Sequence, residues 1–339
     1  MTASDRERLY GMRDDLGRNI DYLRISVTDK CNLRCKYCMP PAGVEQIPHG
    51  ELLTLEELAR LVGIMAELGI RKVRFTGGEP LVRKNLVKLM ADVHEMEGIE
   101  EIALTTNGVL LAENLPALTR AGLTAVNISL DSVRPETFHK ITGTDACGKV
   151  LDAIERAAAS GIRTRVNCVP CREWNAGELA EVAALAGRLP VDVRFIELMP
   201  VGCGRQFHGV PTEEVLRLLE EAYGEMRPVS SVSGTGGPAK YYMPEGFIGR
   251  IGFISPMSHK FCGDCNRIRL TAEGRLKLCL HYNAGVDLRA LLRGGGTDEE
   301  IRATITAAVR AKPAAHDFEH TAERDISDSD SRRMVQIGG

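Results

Sequence analysis

Tyr22-Leu23-Arg24-Ile25-Ser26-Val27-Thr28-Asp29-Lys30-Cys31-Asn32-Leu33-Arg34-Cys35-Lys36-Tyr37-Cys38 joins a short apolar run to a loop with three cysteines. The run at 20–27 has the composition of a strand and ends in polar turn residues. The same signal returns at 72–76, 101–105, 125–130, 164–169 and 191–198. Helical spacing of apolar residues fills the intervals at 55–68, 86–95, 110–121, 149–159 and 178–188. Thr54 is placed to cap the first of these helices, and Gly69 to end it. Six strand–helix units in series predict a parallel sheet with helices outside, curled by right-handed crossovers. Six units are fewer than a closed barrel needs, so the expected fold is α/β, a partial open (β/α)6 barrel with its functional loops at the C-terminal strand ends.

The rhythm stops near Gly202. A helix at 213–221 precedes a Gly/Ser-rich stretch at 230–237 and short strand signals at 240–243, 250–254 and 268–271. The expected division is an N-terminal segment (1–19), the barrel (20–202), a C-terminal region packed against it (203–315) and a polar, mobile tail (316–339).

Composition sets outer bounds. The chain has 339 residues, 44% apolar and 26% charged, with a net charge of −3. That is a globular composition, with no basic excess for nucleic acid. No apolar run approaches the roughly 18 residues of a membrane span, and the charged segment Met1–Arg18 lacks the core of a secretory signal. A cytoplasmic location without membrane contact is expected. There, ten cysteines point to metal or redox chemistry rather than disulfides.

Cys31, Cys35 and Cys38 stand at Cys-x3-Cys-x2-Cys spacing. Three thiolates on one loop suit three irons of a [4Fe–4S] cube and leave the fourth open. A structural zinc site takes four ligands. With Tyr37 before the last cysteine, the loop resembles the signature of the radical S-adenosylmethionine superfamily. The resemblance implies that S-adenosylmethionine chelates the open iron and is cleaved reductively to a 5′-deoxyadenosyl radical, while the protein orients and shields. Thr76-Gly77-Gly78-Glu79-Pro80 resembles the methionine-binding segment of that superfamily. Its paired glycines can admit a close ligand, and its carboxylate can take an ammonium group. On the same resemblance Tyr37, Gly78, Ser129 and Met199 are the cofactor-binding residues.

Cys262, Cys265 and Cys279 form a second trio, Cys-x2-Cys-x13-Cys. A second cluster with an open iron is the favoured reading, and zinc closed by His281 is the alternative. Arg267 and Arg269 alternate along a strand and so share a face; guanidinium groups suit phosphate. The segment 261–271, the opening Leu16-Gly17-Arg18, Arg194-Phe195-Ile196-Glu197-Leu198-Met199-Pro200 and the final Gly338-Gly339 together resemble the GTP 3′,8-cyclase family of molybdenum cofactor biosynthesis. The likeness runs from about residue 16 to the last glycine.

That resemblance implies a lyase with two [4Fe–4S] clusters, on Cys31, Cys35 and Cys38 and on Cys262, Cys265 and Cys279. Hydrogen leaves the ribose 3′ carbon of GTP, and that carbon then bonds to guanine carbon 8. Arg24, Lys72, Arg74, Thr105, Arg165, Arg267, Ile268 and Arg269 are the implied GTP-binding residues. Arg267, Arg269, Gly338 and Gly339 are the implied catalytic ones, the two glycines entering the active site. Arg165 stands where the family commonly has lysine. The implied partners are an external one-electron donor, a downstream pterin synthase and a second copy of the chain in a homodimer. A peptide-modifying radical enzyme with an auxiliary cluster is the runner-up, and a zinc-binding module follows.

Three other features read as structural. Gly143-x4-Gly148-Lys149 lacks a following hydroxyl and a leading strand, so it is a turn entering a helix rather than a phosphate loop. Cys168 and Cys171 lack the helix-start context of a redox pair. Cys147 and Cys203 read as free thiols.

Overall fold

The computed structural model describes residues 12–40, 42–230, 237–320, 330 and 332–338. All six expected barrel strands form: β1 (Tyr22–Ser26), β2 (Lys72–Thr76), β3 (Glu101–Thr106), β4 (Leu123–Ser129), β5 (Arg163–Cys168) and β6 (Asp192–Ile196). They pair in parallel in chain order. Most of their residues are buried, as expected where both faces of a parallel sheet are covered. The outer layer contains α1 (Leu55–Glu67), α2 (Leu86–His94), α3 (Leu111–Arg120), α4 (Pro135–Thr142), α5 (Cys147–Ala159) and α6 (Leu179–Arg188). A capping box between Thr54 and Glu57 starts α1.

Helix α4 is an addition to the expected set. Its eight residues are too few for a clear period, yet Pro135 opens it and Gly143, at φ +77°, closes it. The glycine-rich stretch after it is therefore a corner between two helices, in line with its reading as a turn.

The rest of the chain supplies α7 (Thr212–Tyr223), β7 (Arg227–Val229), β8 (Lys240–Met243), β9 (Ile251–Ile254), β10 (Arg267–Leu270), β11 (Arg275–Lys277), β12 (Gly285–Asp287), α8 (Leu288–Arg293) and α9 (Asp298–Arg310). These strands do not make a sheet of their own. The order is β12-β11-β10-β1-β2-β3-β4-β5-β6-β9-β8-β7, so the region expected to pack against the barrel extends it at both edges. β9 joins β6 and β10 joins β1, both in parallel. Strands of three or four residues gain little from pairing alone, whereas the edges of the six-stranded sheet offer unpaired backbone groups. Among the described residues no helix is long and apolar enough to cross a membrane.

The end of the chain differs from the mobile tail expected of it. Lys277 and Asp330 form an ion pair with side chains 0% and 2% exposed. Arg332 bridges Asp330 at 2.9 Å and Glu273 at 2.6 Å. Beyond this anchor α10 (Met334–Ile337) buries Val335, and packs Ile337 against Val201 and Phe318. The segment is polar on average, but its few apolar residues coincide with one turn of helix. Residues 321–329 and Gly339 lie outside the described residues.

Asp330→Asn leaves Lys277 buried without its counter-charge, a loss on the order of 3–5 kcal/mol for such pairs. The loss is confined to the strap, so amide exchange at 334–338 should accelerate strongly while the barrel strands remain protected.

Candidate functional site

The two cysteine trios lie at opposite ends of one cavity. Cys31, Cys35 and Cys38 follow the C-terminal end of β1. Cys262 and Cys265 precede β10, which starts beside the start of β1; the Tyr22 N–H donates to the Asn266 carbonyl at 3.2 Å. β11 returns antiparallel with Lys277 opposite Arg269, which carries Cys279 back toward the start of β10. The trios are thus separated by the length of β1, about 17 Å at the usual strand rise. All six cysteines are unbridged and line a cavity of about 400 Å³. Among the described residues no three donors converge as a single-ion site requires. Ligands of an iron–sulfur cube sit at separate corners and need no such convergence.

The donor set of the first trio fits an iron–sulfur cluster. Burial pushes the Cys31, Cys35 and Cys38 thiols up, Cys38 to about 12. The neighbouring thiols add to this for Cys35 and Cys38. Iron cations relieve that repulsion, because the bound ligand is the thiolate. The Leu33 N–H donates to Cys31 Sγ at 3.4 Å, and the Val335 N–H donates toward Cys38. At the second trio burial also opposes ionisation of Cys265, but Lys312 and Arg267 outweigh it and bring the thiol below its ordinary range.

The glycine pair holds the first loop in place. Gly78 N–H donates to the Thr28 carbonyl at 2.7 Å and Glu79 N–H to the Lys30 carbonyl at 2.8 Å. A Cβ on Gly78 would come within 2.3 Å of the Lys30 oxygen, and one on Gly77 within 2.6 Å of the Thr28 oxygen. The close approach expected for a ligand is therefore taken partly by the cysteine loop itself. Glu79 is fully buried and accepts from Leu81 N–H, Asn107 N–H and the Thr106 hydroxyl. Burial raises its carboxyl to about 7 against these donors, and it is not on the cavity wall.

Between the trios the register of β10, β1 and β2 stacks cations in rows. Arg269, Arg24 and Arg74 are neighbours across the three strands, with Arg267, Tyr22 and Lys72 forming the adjacent row. Burial alone would raise the Tyr22 phenol, but Arg74 and Arg24 bring it down to about 8. Burial, then Arg267, lowers the Arg269 guanidinium to about 10. Four arginines and Lys72 on adjacent strands make this wall electropositive in a chain of net charge −3.

Most residues expected at the site reach it. Tyr37, Gly78, Ser129, Met199, Thr105 and Arg165 all line the cavity. Tyr37 donates to Asp131 Oδ2 at 2.7 Å, and Arg74 to the Thr105 hydroxyl at 3.4 Å. Lys72 is on the wall but also pairs with Glu101 at 3.1 Å. Gly338 has φ +76°, and a Cβ there would lie 3.0 Å from Ser26 Cβ; its carbonyl accepts from Arg269 at 2.6 Å. Ile268 is not on the wall, nor is Gly338, and Gly339 lies outside the described residues. The alternation that turns Arg267 and Arg269 inward buries Ile268 in the core at 0% exposure. His281, the alternative zinc ligand, is buried against Tyr282 and Phe318 and is absent from the wall. Cys147, Cys168, Cys171 and Cys203 are buried and also off it.

Among the wall residues with no role assigned from sequence are Arg194, Asn127, Asp131 and Lys312. Arg194 donates to Asn167 Oδ1 at 2.7 Å; its place in a strand segment already in view was the available signal. Asn127 has a buried Oδ1 with no partner among the described residues. Asp131, after β4, holds Tyr37. Lys312 lies beyond α9, and nothing in its local sequence connects it to the cysteines.

Residues 25–186 match the family model described as Radical SAM superfamily, and residues 191–318 match Molybdenum Cofactor Synthesis C. A Clostridium perfringens protein named GTP 3′,8-cyclase is 45% identical over 97% of this chain and 100% of its own length. A relative of the same name from Desulforamulus reducens is 47% identical, again over 97% of this chain and 100% of its own. Among solved structures, Streptococcus suis SuiB bound to S-adenosylmethionine superposes with a TM-score of 0.58, covering 84% of this chain and 67% of that one. At 14% identity that likeness concerns the fold.

Gly78→Ala should push the Cys31 loop off the second strand end. Overpacking of this kind costs about 1–3 kcal/mol. Urea unfolding of the iron-free protein should report that loss, and reconstitution should recover less iron at the first trio than at the second.

Proposed function

The chain belongs to the GTP 3′,8-cyclase family of radical S-adenosylmethionine enzymes, and from that premise we propose how its residues divide the work. The activity is GTP 3′,8-cyclisation in molybdenum cofactor biosynthesis. The first [4Fe–4S] cluster and S-adenosylmethionine, when bound, supply the 5′-deoxyadenosyl radical chemistry by which the ribose 3′ carbon of GTP loses hydrogen and bonds to guanine carbon 8.

Cys31, Cys35 and Cys38 hold that cluster. Gly78, Ser129, Met199 and Tyr37 orient S-adenosylmethionine beside it. Cys262, Cys265 and Cys279 hold a second [4Fe–4S] cluster at the far end. GTP lies between, with its ribose toward the first trio and its base toward the second. Arg24, Arg74, Arg267 and Arg269 take the triphosphate as multidentate donors. Lys72, Thr105, Arg165 and Arg194 complete the wall. Ile268 is not carried forward, because its side chain faces the core. Gly338 closes the cavity over β1 and β2, and with α10 it excludes water from a reactive carbon. An external one-electron donor, a pterin synthase that takes the product, a cytoplasmic location, lyase class and a homodimer belong to the same proposal.

The observation that carries this reading is the cationic register of β10, β1 and β2 between two cysteine trios. A purely structural zinc module has no use for a cavity lined with arginine, and a neutral peptide does not offset that charge.

The test is anaerobic. The reconstituted protein receives a reductant, S-adenosylmethionine and each nucleoside triphosphate in turn. 5′-Deoxyadenosine and a new nucleotide of the mass of GTP should both form with GTP alone. Deoxyadenosine without nucleotide product would turn the reading to peptide substrates. Cys31→Ser should abolish S-adenosylmethionine cleavage. Arg269→Ala should weaken GTP binding about 10- to 100-fold, as expected for one charged hydrogen-bonding partner, while iron content stays intact.

A further inference from the structure

Lys312 is 6% exposed and lies just beyond α9. Its ammonium donates to the Arg267 carbonyl at 2.9 Å and also to the Leu278 carbonyl. Arg267 is two residues after Cys265, and Leu278 immediately precedes Cys279. One cation therefore ties together the two strands that deliver the second trio. It also lines the cavity that these thiols line.

The backbone that carries Lys312 is itself clamped. The Arg18 guanidinium donates to the carbonyls of Lys312 at 3.1 Å, Pro313 at 2.7 Å and Ala314 at 3.1 Å. The same group reaches the Cys262 carbonyl at 2.8 Å, and Asp14 balances its charge at 2.5 Å. Among the described residues no carboxylate balances Lys312. Burial works against its positive charge, and the Cys265 and Cys279 sulfurs are the groups that favour it. A buried ammonium without an anion is costly, so the thiolates of the second trio are its natural counter-charge.

We propose that Lys312 is a positioning residue for the second cluster: it staples the Cys265 and Cys279 segments together and holds a fixed positive charge against the cluster. The proposal rests on the reading of this trio as cluster ligands. Reduction adds negative charge to a cluster, and a fixed cation beside its ligands stabilises the reduced form more than the oxidised one. The residue thus raises the potential of the second cluster without touching substrate.

The test uses full-length protein reconstituted anaerobically, with Lys312→Met, which keeps the length and removes the charge, and Lys312→Arg, which keeps the charge. Iron is counted, and each cluster is titrated by electron paramagnetic resonance. In the Met variant the ratio of reduced to oxidised second cluster, at the wild-type midpoint, should fall about tenfold. That is a shift of about 59 mV for a one-electron couple. The first cluster and its response to S-adenosylmethionine should not move, and Lys312→Arg should recover most of the potential. Loss of iron from the second cluster alone in the Met variant, retained in the Arg variant, would equally support the staple. A second cluster present at unchanged potential in Lys312→Met would overturn the proposal, as would equal loss of both clusters. Wild-type protein that takes up only one cluster would sink the reading of the trio, and the proposal with it.

Discussion

The parallel ladder between β10 and β1 is the constraint on which the site depends. It joins strands more than 240 residues apart in sequence, and it does three things at once. It places the second cysteine trio at the opposite end of β1 from the first. It puts Arg269 beside Arg24 and Arg267 beside Tyr22. It also provides the strand against which β11 returns, bringing Cys279 back to Cys265. A shift of one residue would turn Ile268 into the cavity and both arginines into the core. The apolar burial of Ile268 and Leu270 therefore protects the placement of the cations.

The cationic rows are expensive without an anion. Guanidinium groups on adjacent strands begin about 4.8 Å apart at the backbone, and like charges at such spacing repel by a few kcal/mol in a partly shielded interior. The surrounding residues absorb part of that cost. Asn167 accepts from Arg194, Glu101 pairs with Lys72, and the Tyr22 hydroxyl accepts from Arg74. The remainder is available to a polyanion, which is where binding affinity can arise without an overall basic protein. A net charge of −3 and a strongly positive cavity are compatible because fields in a low-dielectric cleft are local.

The C-terminal strap links these parts. Its buried ion pair anchors it to β11, its short helix packs beside Phe318, the Val335 amide approaches the first trio, and the Gly338 carbonyl meets Arg269 beside the second. Gly338 has a left-handed backbone, which favours glycine, and a side chain there would crowd Ser26 and Thr76.

Much of this was legible along the chain. Period, caps and turn residues determined the six strand–helix units, because hydrophobic alternation and helix caps act over a few residues. Cysteine spacing pointed to the first three-thiol site, because ligand geometry on one loop is also local, whereas the second also needs the return of β11 to bring Cys279 to Cys265. The motifs placed the chain in its family. The sequence could not show that the C-terminal strands would complete both edges of the barrel sheet, that Gly78 makes room for the Cys31 loop, or that Lys312 would reach across to Arg267 and Leu278. Those outcomes depend on which distant backbone edges pair and in what register. That choice is made by burial summed over the whole sheet and carries no signal in any short window of residues.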